Sequence, residues 1–148
     1  MMSRENVEIV RRGHQAWERG DLSEVIEMFD ESAVMRPIIG PEWHGPQGLL
    51  EMAADWVEGF DEFAMSGEEF IDAGDDVVVR VRQEARGAST GVPVQVTFWF
   101  VYSLRDAKVI RFEMFQDRDK ALEAAGLSKQ DAHGDYSASR AEQKRSLT

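Results

Sequence analysis

Val94-Gln95-Val96-Thr97-Phe98-Trp99-Phe100-Val101-Tyr102, followed after Arg105-Asp106-Ala107 by Val109-Ile110-Arg111-Phe112-Glu113-Met114-Phe115, decides the fold. The first run alternates: Val96, Phe98, Phe100 and Tyr102 fall on one side, Thr97, Trp99 and Val101 on the other. Period-two alternation is the mark of a strand with two unlike faces. The two runs form a hairpin, and its register decides which side chains can face a pocket. A two-residue turn would set Arg111 and Glu113 beside Tyr102 and Phe100. A three-residue loop, with Ala107 in the left-handed position, sets Tyr102, Phe100 and Phe98 against Ile110, Phe112 and Met114. We prefer the second, because it gives one apolar face and one mixed face carrying Trp99, Val101, Ser103, Arg111 and Glu113, as an antiparallel sheet requires. Its cost is Ala at positive φ, about 1 kcal/mol relative to Gly.

Working outward, Val77 to Arg86 alternates in the same way, with Val77, Val79, Val81, Gln83 and Ala85 on one face. Phe63 to Phe70 reads as a strand interrupted at Gly67, and Asp72 to Asp76 as the turn between the two. The first half is helical. Residues 3–19 place Val7, Val10, His14 and Trp17 at spacings of three and four, and Gly20 ends the helix. Asp21 and Glu24 make a capping box for a short second helix. Ser32 to Pro37 is extended, because Pro37 bars Arg36 from the helical region. Ile38 to Gly45 reads as a loop. Pro46 opens a third helix with Leu49, Ala53, Trp56, Val57 and Phe60 on its buried side. Asp117 caps a last short helix over 118–125, stopped by Gly126. The division predicted is a domain over 1–127 and a flexible polar tail over 128–148.

Composition narrows the function. The chain has 148 residues and a net charge of −11, which disfavours nucleic acid or an anionic membrane as partner. It has no cysteine, and its three histidines, at 14, 44 and 133, lack ligand spacing. No metal site and no cofactor is expected. Without an apolar leader or a run of about 20 apolar residues, the expected location is cytoplasmic.

The order of several short motifs resembles the SnoaL-like proteins of the nuclear-transport-factor-two-like superfamily. These motifs are Gly20-Asp21-Leu22 after a helix ending in Trp17, Phe29 with Ser32-Ala33-Val34 leading to Arg36-Pro37, and His44-Gly45. They continue with Ala73-Gly74-Asp75, Arg105-Asp106-Ala107-Lys108-Val109, and the run from Phe115 to Leu127. The resemblance implies an α+β cone, with N-terminal helices packed into a curved antiparallel sheet. It also implies a pocket for a small hydrophobic molecule and a homodimer formed through the outer sheet face. An outward Trp99 would then be covered by a second subunit.

The resemblance also frames the chemistry. Ketosteroid isomerases of this fold carry a base, a tyrosine and a protonated aspartate where this chain has Arg36, Gly13 and Phe100. Arg cannot act as a base at neutral pH, so that mechanism is not expected. Epoxide hydrolases of this shape need an inward Arg between carboxylates, whereas alternation turns Arg80 and Arg82 outward. The related polyketide cyclases place their acid–base pair near Tyr102 and Asp117. Candidate catalytic residues are thus Tyr102 as donor, Asp117 or His14 as proton shuttle, and Arg36 as oxygen clamp. Each has a structural alternative: a cap for Asp117, a satisfied core residue for His14, and an ion pair with Glu31 or Glu42 for Arg36. Candidate pocket residues are Trp17, Trp43, Trp56, Phe60, Val81, Gln83, Phe98, Phe100, Phe112 and Met114. Gln83 among inward valines needs an amide partner, from ligand or protein. Two functions follow, a cofactor-independent acid–base enzyme on a polyketide-, steroid- or terpene-like compound, or a binding module without turnover.

Overall fold

The computed structural model describes residues 3–127; the expectation for 128–148 lies outside them. The elements in chain order are α1 (Ser3–Arg19), α2 (Leu22–Glu27), β1 (Phe29–Arg36), β2 (Trp43–His44) and α3 (Gly45–Val57). They continue with β3 (Phe60–Ala73), β4 (Asp76–Gly87), β5 (Pro93–Arg105), β6 (Lys108–Phe115) and α4 (Arg118–Ala124). One open sheet of six strands runs β2-β1-β6-β5-β4-β3. Four of its five pairings are antiparallel; β1 runs parallel to β6. The α+β class and the helices packed on a curved sheet are as read from the sequence.

The hairpin closes differently from the expected three-residue loop. Asp106 and Ala107 alone make the turn, with φ of 52° and 66°, and Arg105 pairs with Lys108. Two left-handed residues give the turn whose twist matches that of the strands. Ile110 is then an extra residue, a bulge that moves the register by one. Beyond it, Tyr102 lies opposite Phe112 and Phe100 opposite Met114. Turn and bulge together restore the faces expected of the longer loop, shifted along by two residues. Phe98, Phe100, Tyr102, Phe112 and Met114 are buried on the inner face with Val77, Val79 and Val81.

Three other boundaries move. The first strand starts at Phe29 rather than Ser32, and Trp43-His44, read as loop, makes a short strand on Val34 and Met35. The third helix stops at Val57, because Glu58 is extended and Gly59 takes φ 88°. Phe60 therefore opens β3 and does not belong to the helix.

The sheet has a core on each side. Helices α1, α2 and α3 cover the inner face. Asn6 on α1 donates to the Gly74 carbonyl at 3.1 Å, tying that helix to the β3–β4 turn. On the outer face, Ala121 and Leu122 of α4 pack on Ile71, Val78, Trp99 and Val101. The Arg118 guanidinium lies 5.7 Å from the centre of the Trp99 ring. Trp99 is 7% exposed within a single chain, so α4 supplies the cover that its outward position requires. None of the described helices is long and apolar enough to cross a membrane.

Candidate functional site

Between the helices and the inner sheet face lies a cavity of about 80 Å³. That exceeds the room one water needs, and the lining is almost wholly apolar, the kind of space that stays dry or takes an apolar guest. Gly13, His14 and Trp17 of α1 form one wall, and Val25 and Ile26 of α2 with Leu49, Met52 and Trp56 of α3 form another. Phe100, Tyr102, Phe112 and Met114 make the sheet side. Met28 and Met65 complete a set of four wall methionines, side chains that adapt to guests of different shape. Gly13 makes room for one of them, since a Cβ there would collide with the Met28 thioether.

Among the described residues, His14 and Tyr102 carry the only titratable side chains in this wall. His14 Nε2 and the Tyr102 hydroxyl are 2.7 Å apart, and each residue is 4% exposed. The close approach depends on Gly67 in β3. A Cβ at Gly67 would stand 2.6 Å from the Phe70 ring and 3.1 Å from His14 Nδ1. The His14 ring is held edge-to-face by Phe70 at 5.5 Å and by Tyr102 at 5.6 Å. Burial lowers the His14 pKa from 6.5 to about 4 and raises that of Tyr102. Both groups are therefore neutral at pH 7. If Tyr102 donates to Nε2, the pair is closed on itself. If His14 donates from Nε2 to the tyrosine oxygen, the Tyr102 hydroxyl is free to donate to a guest's oxygen.

Residues 10–112 match the family model of the SnoaL-like domain. The chain belongs to that family. Solved SnoaL-like and related folds resemble it closely in shape. An NTF2-like protein of unknown function from Burkholderia pseudomallei K96243 is 20% identical, with a TM-score of 0.70 over 84% of this chain and 98% of its own. A Catenulispora acidiphila DSM 44928 protein with a ketosteroid isomerase-like fold, in complex with trimethylamine, is 16% identical, with a TM-score of 0.66 over 81% of this chain and 93% of its own. TerC, co-crystallized with polyporic acid, is 20% identical, with a TM-score of 0.68 over 82% of this chain and 98% of its own. At these identities the likeness is one of fold. No curated protein matches the chain in sequence.

This SnoaL-like chain does not bring all the expected site residues together. His14, Trp17, Trp56, Phe100, Tyr102, Phe112 and Met114 line the cavity. Gln83 and Phe98 stand behind Trp56: its indole N–H donates to Gln83 Oε1 at 2.7 Å, and its ring meets Phe98 edge-on at 5.5 Å. Val81 is fully buried in the core but does not reach the cavity. Phe60 packs on Phe63 at 6.1 Å, outside the lining. Trp43 lies on β2 beside Met35 and Gly48, likewise outside it.

Two expected catalytic groups lie elsewhere. Alternation along β1 buries Ala33 and Met35 and turns Arg36 out. There Arg36 binds Glu42 at 2.8 Å and approaches Glu113 at 3.9 Å, with half its side chain exposed. Asp117 is the N-cap of α4, accepting from the amides of Asp119 at 2.8 Å and Lys120 at 3.4 Å. The expected convergence of Arg36, Tyr102 and Asp117 on one cavity is thus corrected. The sequence reading missed Leu49 and Met52 of α3 and Met65 of β3 as wall; nothing in an apolar helix stripe or strand face separates wall from core. Among the described residues no group of three or more His, Cys, Asp or Glu could hold a metal ion.

Proposed function

We propose that this chain binds a small, uncharged, largely apolar molecule in the inner cavity, with one oxygen of that molecule at the His14–Tyr102 pair. One observation carries this reading: among the described residues, a buried, neutral hydrogen-bonded pair is the only titratable feature of an otherwise apolar wall. An anion or cation entering would lose its hydration with no opposite charge to receive it. A hydroxyl or carbonyl would find a partner. That TerC was co-crystallized with polyporic acid supports the idea that this fold takes a small organic guest.

The test compares p-cresol with toluene, which differ by one hydroxyl. The native chain should bind p-cresol more tightly. Tyr102→Phe should weaken p-cresol by ~0.5–1.5 kcal/mol, the net worth of a neutral hydrogen bond, and leave toluene nearly unchanged. Calorimetry on the four combinations reads this directly. Equal binding of p-cresol to both proteins would remove the oxygen from the pair.

A second reading, acid–base chemistry on a ketone, is favoured by one property of His14. Above about pH 4 it is unprotonated; when a guest's carbonyl takes over the Tyr102 O–H, the Nε2 lone pair that the hydroxyl leaves is free to accept a proton from the carbon beside that carbonyl. Incubation of a methyl ketone with the protein in D2O should then label that carbon. His14→Gln keeps a hydrogen-bonding side chain but cannot shuttle the proton, and labelling should stop. An unlabelled product with the native chain leaves binding as the function.

A further inference from the structure

An amide in a row of valines needs a reason. Gln83 lies on the inner face of β4, 3% exposed, in line with Val77, Val79 and Val81. Its cross-strand neighbours are Met65 of β3 and Val96 of β5. An apolar residue there would avoid the cost of burying an amide. Gln83 does not line the cavity, yet its Oε1 accepts the indole N–H of Trp56, which does. Its neighbour Met65 is wall as well.

From this geometry we infer that Gln83 is a positioning residue that sets the size limit of the cavity by locking Trp56. Trp56 sits in the last turn of α3, two residues before the helix gives way to Glu58 and Gly59. A side chain so near a helix end has room to turn. Phe98 fixes one edge of the indole by an edge-on contact at 73°, which alone would permit the ring to slide. The hydrogen bond to Gln83 removes that freedom, because any rotation leaves an indole N–H and an amide oxygen unpaired in an apolar setting. The indole then closes the α3–β3 side of the cavity, and a guest that needs more length must break this bond.

The inference rests on the binding reading above, and the experiment separates the two. The probes are p-cresol, 4-propylphenol and 4-pentylphenol, which share the hydroxyl and differ only in length. In the native chain 4-pentylphenol should bind about tenfold or more weakly than p-cresol, because the locked indole stands where the added length would go. In Gln83→Leu, 4-pentylphenol should gain about tenfold while p-cresol changes less than about threefold. Trp56→Phe, which removes the donor from the other side, should shift the preference in the same direction and covers the case that Gln83→Leu folds poorly. Gln83→Glu, which burial among valines favours in the protonated form, retains an acceptor oxygen and should keep the native preference. A uniform loss across the series, or no change in preference, would overturn the inference. If no phenol binds the native chain, the binding reading fails, and the locking of Trp56 is still decided by solvent exchange of its indole N–H. Exchange should be slow in the native chain and about tenfold or more faster in Gln83→Leu; equal rates would overturn it.

Discussion

Trp99→Glu should lower the melting temperature by about 10 °C or more and free α4 from the sheet. Trp99 lies in an outer core of its own, between fully or nearly fully buried Ile71, Val78 and Val101 below and Ala121 and Leu122 above. Removing so large a buried side chain typically costs ~3–5 kcal/mol. A carboxylate in its place adds desolvation that Arg118, a single cation at the edge of the cluster, offsets only in part. Release of α4 should expose the Arg118 and Lys120 bonds to trypsin while the inner core, on the opposite face, still folds. The result also bears on the homodimer expected through this face. If Trp99 were chiefly an intersubunit residue, the variant would be a stable monomer with an unchanged melt. Sedimentation and calorimetry on one sample distinguish the two, and an unchanged melt would sink the intramolecular account.

The hairpin and the candidate site differ in how far they could be read in advance. Alternation in Val94–Tyr102 was sufficient to assign faces, because the faces depend only on parity. The route by which the chain reaches that parity was not legible. Asp106-Ala107 lacks the glycine that marks a two-residue turn, and no residue type marks the bulge at Ile110. In β1, Ala33-Val34-Met35 is apolar on both faces. Pro37 showed that Arg36 is extended, but nothing local showed which way it points. Gly59 was the signal that α3 ends before Phe60, and the helical spacing from Trp56 to Phe60 hid it. The cap role of Asp117 was readable because it is local: a short acidic side chain before a helix accepts its first free amides. The meeting of His14 with Tyr102 was not, since they lie 88 residues apart and only the packing of α1 on the sheet joins them. The same holds for Gln83 and Trp56, each noted singly and made meaningful by contact.

His14→Gln should make folding stability less sensitive to pH between about 4 and 6.5. In the unfolded chain His14 takes up a proton near its ordinary 6.5, and in the folded chain burial delays uptake to about 4. Between those values the unfolded state holds more protons, so stability falls as the pH falls. The contribution is fully present above pH 6.5 and is lost as the pH drops toward 4, a change of roughly 3 kcal/mol. The exposed carboxylates of Asp21, Asp30 and Glu42, whose pKa values are lowered by hydrogen bonds and ion pairs, withdraw their support at more acid pH. They are common to both proteins and cancel in the difference. The variant is the less stable at pH 7 through its constant loss of packing, so urea midpoints at pH 7, 6 and 5 should converge for the native chain and the variant as the pH is lowered. Parallel curves would mean that His14 ionises in the folded chain as freely as in water. The pair would then no longer be neutral in the acid range, and both the preference for uncharged guests and the proton-accepting role of His14 would lose their physical basis.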